Sequence, residues 1–218
     1  MLEKMDKFFE RRLATYDEHM LNDIEYANTF YPFTAGCLPL SKGVKILDLG
    51  CGTGLELEEY FKLNQDANVV GIDLSAGMLE ALKSKFPDKK NSIQLICGSY
   101  FDVELGTGIY DAAVSVESLH HFTKEEKSSL YKKLCASLKE GGYFILTDYF
   151  AKDNEYEQFH REELLRLKSE EGISDSDFYH YDTPLTVEHE TEALLYGGFK
   201  SVRILDSWGA TFTLRADK

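Results

Sequence analysis

From Val44 to Asp148, short apolar runs alternate with stretches of helical spacing, a pattern that predicts crossover units and a parallel sheet. Leu130, Leu134 and Leu138 recur at four-residue intervals and give one intervening helix a single apolar face. Before this region, Phe8, Phe9, Leu13, Tyr16, Met20 and Ile24 recur at helical spacing, so residues 1 to 40 read as helices, with Pro32 and Pro39 punctuating the link to the first strand. After Asp148 the pattern changes. Residues 152–171 form a charged helix, and 172–184 a polar, acidic loop that carries Phe178, Tyr179 and Tyr181. Residues 187–196 form another helix, stopped by Gly197 and Gly198. The apolar runs 202–205 and 211–214 close the chain as two strands joined by a tight turn near Trp208 and Gly209. There are no repeats and no low-complexity linker.

One junction in this pattern carries chemistry. Residues 48–54 read Asp-Leu-Gly-Cys-Gly-Thr-Gly directly after the apolar run that ends at Leu47, and Asp73 ends the next run. Glycines let the chain leave a strand sharply and approach a ligand without a Cβ in the way, while the following helix turns free N–H groups toward it. Asp73 then stands where it can accept hydrogen bonds from ribose hydroxyls. Two features separate the loop from the dinucleotide pattern. The third glycine, Gly54, falls one place early and Leu55 takes its usual position. Asp48, just ahead of the loop, would repel a pyrophosphate but attract a cation. S-adenosylmethionine, with a sulfonium and an ammonium and no phosphate, suits it.

The chain accordingly resembles the class I S-adenosylmethionine-dependent methyltransferases, and the resemblance runs from Val44 to the C-terminus. Residues 69–75 look like their second strand and 76–86 like the helix after it; 93–98 look like the third strand and 110–116 like the fourth, followed by Leu119-His120-His121-Phe122. Residues 138–146 are similar to the segment that leads into the fifth. The resemblance implies an α/β, Rossmann-like sheet of seven strands, mostly parallel with the last antiparallel beside the sixth, and helices on both faces. It implies an N-terminal helical cap over residues 1–40 and a methyltransferase domain over 41–218 with a lid insertion at about 150–185. Around the cofactor it places Tyr16, Asp48, Gly50, Cys51, Gly52, Gly54, Asp73, Leu74, Met78, Ser99, Tyr100 and Val116. Where the family commonly has an acidic residue near the adenine amino group, this chain has Ser99, whose hydroxyl can still accept one hydrogen bond.

Hydrophobic residues make up 43% and charged residues 28% of 218, ordinary for a globular chain large enough to bury a full core. Net charge is −14, so the surface mostly repels a polyanion and argues against a nucleic-acid substrate. The cationic stretches 83–90 and 124–139 carry helical spacing and acidic neighbours, and read as solvated helix faces. No apolar run approaches membrane-spanning length, and the N-terminus lacks the apolar core of a signal peptide. Cys37, Cys51, Cys97 and Cys135 are spaced as free thiols, so the expected compartment is the cytoplasm. Cys51 reads as a small residue filling tight space in the loop. Whether the chain is a monomer or a homodimer stays open.

Methyl transfer from a sulfonium needs alignment above all, and a general base only when the acceptor must lose a proton. Glu117, His120 and His121 stand in the loop after the fourth strand, where such a base belongs. The histidines could equally shape the cofactor pocket, and Glu117 could hold an acceptor amine. Glu117, His120 and Asp148 as a magnesium site are weighed and set aside, because no acidic residue stands at Ser115 or Val116; no metal is expected. Asp148 reads as a strand-end residue facing solvent or acceptor. Tyr16, Asp17 and His19 resemble a family segment that covers the cofactor. Tyr26, Phe30, Tyr31 and Phe33, like Phe159 and His160, either line an acceptor pocket or pack.

Two absences bear on the acceptor. The family's base-amino methyltransferases resemble one another in an Asn or Asp-Pro-Pro-aromatic stretch that this chain replaces with Glu117-Ser118-Leu119, and no cysteine stands where a cytosine-carbon nucleophile would. The expectation is a methyltransferase for a small-molecule acceptor. The alternatives are an RNA or protein methyltransferase, a cofactor-binding protein without methyl transfer and, more distantly, a dehydrogenase.

Overall fold

The computed structural model describes residues 1–173 and 178–218; of the expected loop at 172–184, residues 174–177 lie outside the described part. Seven strands form one sheet: β1 (Lys45–Leu49), β2 (Asn68–Asp73), β3 (Ile93–Cys97), β4 (Tyr110–Val116), β5 (Leu138–Tyr149), β6 (Ser201–Trp208) and β7 (Thr211–Asp217). Their order is β3-β2-β1-β4-β5-β7-β6, parallel from β3 through β5, with β7 antiparallel to both β5 and β6. β7 thus slots between β5 and β6. The strand order reverses between β1 and β4, and ligands of open α/β sheets bind outside the strand ends at such a switch point.

Helices α4 (Leu55–Leu63), α5 (Ala76–Lys85), α6 (Lys124–Ser137), α7 (Asn154–Glu171) and α8 (Val187–Tyr196) follow the strands. Their starts are fixed by side chains: Ser75, Asp153 and Thr186 cap α5, α7 and α8, and Thr123 with Glu126 forms a capping box on α6. α4 instead begins at Gly54 with no side-chain cap.

The N-terminal segment holds α1 (Met5–Arg12), α2 (Tyr16–Asn22) and α3 (Ala27–Gly36). Pro32 lies inside α3 rather than in the link after it. A proline there forfeits one helical hydrogen bond, and the burial of Phe30, Tyr31, Thr34 and Ala35 against the sheet offsets the loss. Thr34 is tied to Thr147 on β5 at 2.5 Å, and the Tyr143 hydroxyl donates to the Cys37 carbonyl. α3 therefore belongs to the layer beneath the sheet, and only α1 and α2 reach over the strand ends.

One expectation about charge fails. Lys127, in the stretch read as solvated, is 2% exposed at its side chain and pairs with Glu190 of α8 at 2.6 Å, with the Tyr131 hydroxyl donating to the same carboxylate. A buried ammonium survives because it is paired and bonded. No helix among the described residues is long and apolar enough to cross a membrane.

Candidate active site

The β1–α4 turn is shaped by glycine. Gly50, Gly52 and Gly54 have φ of 74°, 47° and 79°, the left-handed region that other residues enter at a cost. The Gly52 N–H donates to Asp73 at 2.8 Å, so the end of β2 braces the loop, and the other Asp73 oxygen accepts from Ser75 N–H at 2.8 Å. Behind the turn, Asp48 is 1% exposed and both its carboxylate oxygens lack a hydrogen-bond partner. Burial, then the charge of neighbouring Glu56, pushes Asp48 well above the ordinary carboxylate range. Burial raises Glu56 and Asp73 as well. A negative field held in a low-dielectric pocket fits a cationic ligand.

A narrow cleft runs along this turn, lined by Tyr16, Gly50, Gly52, Asp73, Leu74, Met78, Ser99 and Tyr100 among the residues expected at the cofactor. Asp48, Cys51, Gly54 and Val116 do not line it. Asp48 and Cys51 are buried behind the turn and do not face the cleft. The Cys51 thiol lies in the tight space against Gly71, and burial raises its pKa well above normal, the mark of an unreactive core thiol. Gly54 packs toward Leu82 and Phe86. The cleft also takes in Met5, Phe9, Gly98, Ser118, Phe122 and Phe178. Their meeting could not be read from the sequence, since they arrive from segments far apart in the chain; the helical spacing of Phe9 and the aromatic character of Phe9, Phe122 and Phe178 were the only signals.

A larger cavity of about 610 Å³ opens beside it, and the two share Phe9, Tyr16, Glu117 and His121 as a common wall. Arg12, Thr15, Glu18, His19, Asn22, Asp23, His120, His180 and Asp182 complete its polar lining. The N-terminus and the later insertion are zipped together above it: Met5 N–H donates to the Phe178 carbonyl at 3.0 Å, His180 N–H to the Glu3 carbonyl at 2.9 Å, and the His180 ring stacks on Phe8 at 3.4 Å. Thr183 N–H ties the insertion to the His120 carbonyl at 2.7 Å. Asp17 anchors α2 from the other side, accepting from Thr53 and from Lys85.

The aromatic residues once open to either role divide differently. Phe30 and Tyr31 are buried in the core, Phe33 packs on Trp208, and Tyr26 is exposed at a φ of 65°. Phe159 is 61% exposed, and His160 packs on Tyr156. None of these lines the cavity.

Asp148 is not a solvent-facing strand end. It is buried, one oxygen accepts the Leu119 and His120 N–H groups at 2.8 and 3.1 Å, and the other meets His120 Nδ1 at 2.5 Å. Burial opposes charge on His120, but Asp148, with Glu117 and Asp182, outweighs it and holds the imidazole at about 9. His121 is lowered by burial and by the His120 charge, and His180 falls to about 4 through burial and then the neighbouring His121. Glu117 closes β4 with a φ of 48°, strained for a side-chain-bearing residue. Burial, then the Asp148 charge, lifts its carboxyl to about 8, while Thr211 donates to it at 3.3 Å.

A switch-point cleft with a glycine turn and an acidic neighbourhood thus stands beside a larger chamber, an arrangement suited to a cationic nucleoside ligand. A family model described as a methyltransferase domain matches residues 46–142. The chain is 24% identical to a carboxy-S-adenosyl-L-methionine synthase of Campylobacter fetus over 97% of its own length and 94% of that protein's. It is 32% identical to phosphoethanolamine N-methyltransferase 3 of Arabidopsis thaliana over 51% of this chain and 22% of that one. A crystal structure of a proposed O-methyltransferase from Nostoc punctiforme superposes with a TM-score of 0.72 at 20% identity, covering 99% of this chain and 62% of that chain; at that identity the likeness carries the fold. Residues 46–142 thus match a methyltransferase domain, and the chain as a whole is similar in sequence to S-adenosylmethionine-using enzymes and in fold to methyltransferases.

Proposed function

We propose that the enzyme methylates a small, neutral or cationic acceptor bound in the 610 Å³ cavity, under a cap made by α1, α2 and the segment 178–183. The wall shared by the two cavities is the observation that carries this reading: Phe9, Tyr16, Glu117 and His121 face both, so a methyl group at their border has a covered path from one to the other. Within it, Tyr16, Gly50, Gly52, Asp73, Leu74, Met78, Ser99 and Tyr100 would contact the cofactor, and the Asp48–Glu56 field would favour its sulfonium and ammonium. Buried, unpaired carboxylates and a cradle without Cβ atoms fit that ligand. The cofactor supplies the electrophilic methyl group; the chain aligns the acceptor and, through Glu117, takes its proton. Glu117 suits that role better than His120, whose Nδ1 is engaged by Asp148 at 2.5 Å.

The cavity chemistry also bears on the Campylobacter relative, whose name gives its product as a carboxylated cofactor. Glu18, Asp23, Glu117 and Asp182 line the cavity against a single arginine, Arg12, and an acid-rich wall favours amines, thiols or alcohols over carboxylates. The free thiols Cys37, Cys51, Cys97 and Cys135 fit a reducing setting such as the cytoplasm. Incubation of the enzyme with methyl-labelled S-adenosylmethionine and a fractionated metabolite pool tests the reading. Label in a small molecule together with S-adenosylhomocysteine is expected. Label confined to RNA or protein, or a cofactor that gains mass instead of losing its methyl group, would overturn it.

A further inference from the structure

The turn after β4 and the segment 178–183 gather imidazoles and carboxylates on one wall of the large cavity, more than proton transfer to a single base requires. His121 Nδ1 and Asp182 Oδ1 lie 3.0 Å apart, both shut off from solvent, yet neither has a hydrogen-bond partner, because their approach lacks the alignment such a bond needs. His120 Nε2 stands 3.7 Å from the same oxygen. One ligand atom from each of His120, His121 and Asp182 falls within 4.8 Å of the others. The His121 side chain is only 5% exposed, so its free nitrogen is aimed into the cluster rather than into water.

We propose that His120, His121 and Asp182 form a binding site for a divalent transition-metal ion of the zinc class, set in the wall of the large cavity. Bonds of about 2.1 Å at tetrahedral or octahedral angles separate neighbouring ligand atoms by about 3.0 to 3.5 Å; the two separations from Asp182, 3.0 and 3.7 Å, lie at and just beyond this range, and the two histidines would close slightly around the ion. Two imidazole nitrogens with one carboxylate select zinc, iron or cobalt over magnesium and calcium. Asp148 completes the arrangement from behind. By holding His120 Nδ1–H at 2.5 Å it turns Nε2 toward the cluster, the carboxylate–histidine relay that orients metal-bound imidazoles. The alternative grouping of Glu117, His120 and Asp148 lacks this logic, because the histidine nitrogen nearest those carboxylates is already engaged by Asp148. The His180 ring, 4.8 Å from that of His121, stands next to the site.

Three protein ligands leave coordination positions open, and the cavity is the space beside them. On the reading that this cavity takes the acceptor, the ion would hold a thiol or hydroxyl acceptor as its anion, the proton leaving to Glu117 on the same wall. Methyl transfer would then break the cofactor's carbon–sulfur bond, leave its electron pair on sulfur and form the new bond to the acceptor anion.

Titration of the full chain, stripped with chelator, with zinc and with cobalt tests the site without any acceptor. Calorimetry is expected to show one tight equivalent, and cobalt to give visible absorption of a nitrogen- and oxygen-ligated ion. The double variant His121→Ala/Asp182→Ala is expected to lose zinc affinity by at least about 100-fold, and Asp148→Asn by about 10- to 100-fold. Circular dichroism and a cooperative melting transition report whether the double variant keeps its fold. Zinc uptake unchanged in the folded double variant, or no uptake by the wild-type chain, would overturn the site while leaving the methyltransferase reading intact.

Discussion

Asp148 at the end of β5 and His120 after β4 are joined twice, through Oδ1 to the ring Nδ1 at 2.5 Å and through Oδ2 to the backbone N–H at 3.1 Å. One buried carboxylate therefore sets both the turn and the imidazole it carries. Burial resists the charge on Asp148, but the His120 cation keeps its carboxyl below the normal range. Asp148→Ala leaves a buried imidazolium without its main partner and should cost about 3–5 kcal/mol in denaturant unfolding. Asp148→Asn keeps an oxygen for the backbone donors, so it should cost less, and the His120 titration followed by NMR should move down from about 9.

The Asp48–Glu56 pair predicts opposite pH trends for the free and the loaded protein. Both acids are raised by burial, so the folded state holds protons that the unfolded state releases. Their contribution to stability is present below the ordinary carboxylate range and is lost as pH rises. The same ionisation strengthens the field on a sulfonium. As pH rises above the ordinary carboxylate range and the two acids ionise, S-adenosylmethionine affinity should therefore rise more than that of S-adenosylhomocysteine, which lacks the sulfonium charge. Asp48→Asn should raise the melting temperature of the free protein, weaken S-adenosylmethionine by on the order of tenfold and flatten the difference. Calorimetry with both ligands checks it.

Much of this arrangement was legible because local rules govern it. Apolar runs between helical stretches mark the parallel strands, and the glycine spacing at residues 50–54 marks the turn, since backbone geometry there is set by a few neighbouring residues. Long-range packing was not legible. Pro32 reads as a breaker because its helix is rescued only by contact with the sheet, and Lys127 reads as solvated because its partner Glu190 lies 63 residues on. The meeting of His121 with Asp182 likewise depends on a segment that returns to the turn after β4, held by the bond from Thr183 N–H to the His120 carbonyl. Asp48 shows a finer limit: its sequence position gave the sign of the field, whereas its burial behind the turn removes it from contact.

Lys127 and Glu190 offer a stability test away from the site. Lys127→Met strands a buried carboxylate and should cost about 3–5 kcal/mol, a large part of a typical domain's stability. Replacing both, as Lys127→Met with Glu190→Gln, should recover much of that loss, since the amide can still accept from Tyr131 without a charge to bury. Urea denaturation of the single and double variants measures the coupling.

Glu117 ties the fold's strain to the proposed chemistry. Its φ of 48° places the carboxyl on the wall between the two cavities, and its pKa of about 8 leaves it protonated at lower pH. A base must be ionised to act, so the rate of an acceptor that has to lose a proton should climb with pH and level off above about 8. The stability trend is opposite in sign: a raised acid favours the folded state below its unfolded value and loses that advantage as pH rises through about 8. Glu117→Gln keeps the size and the bond from Thr211 but cannot take a proton. It should lower kcat by on the order of 100- to 10,000-fold and abolish the rise, while S-adenosylhomocysteine affinity stays within about threefold. Glu117→Gly relieves the backbone strain, so its melting temperature should hold near wild type although its activity is lost, a combination that separates the catalytic part of this residue from its structural one.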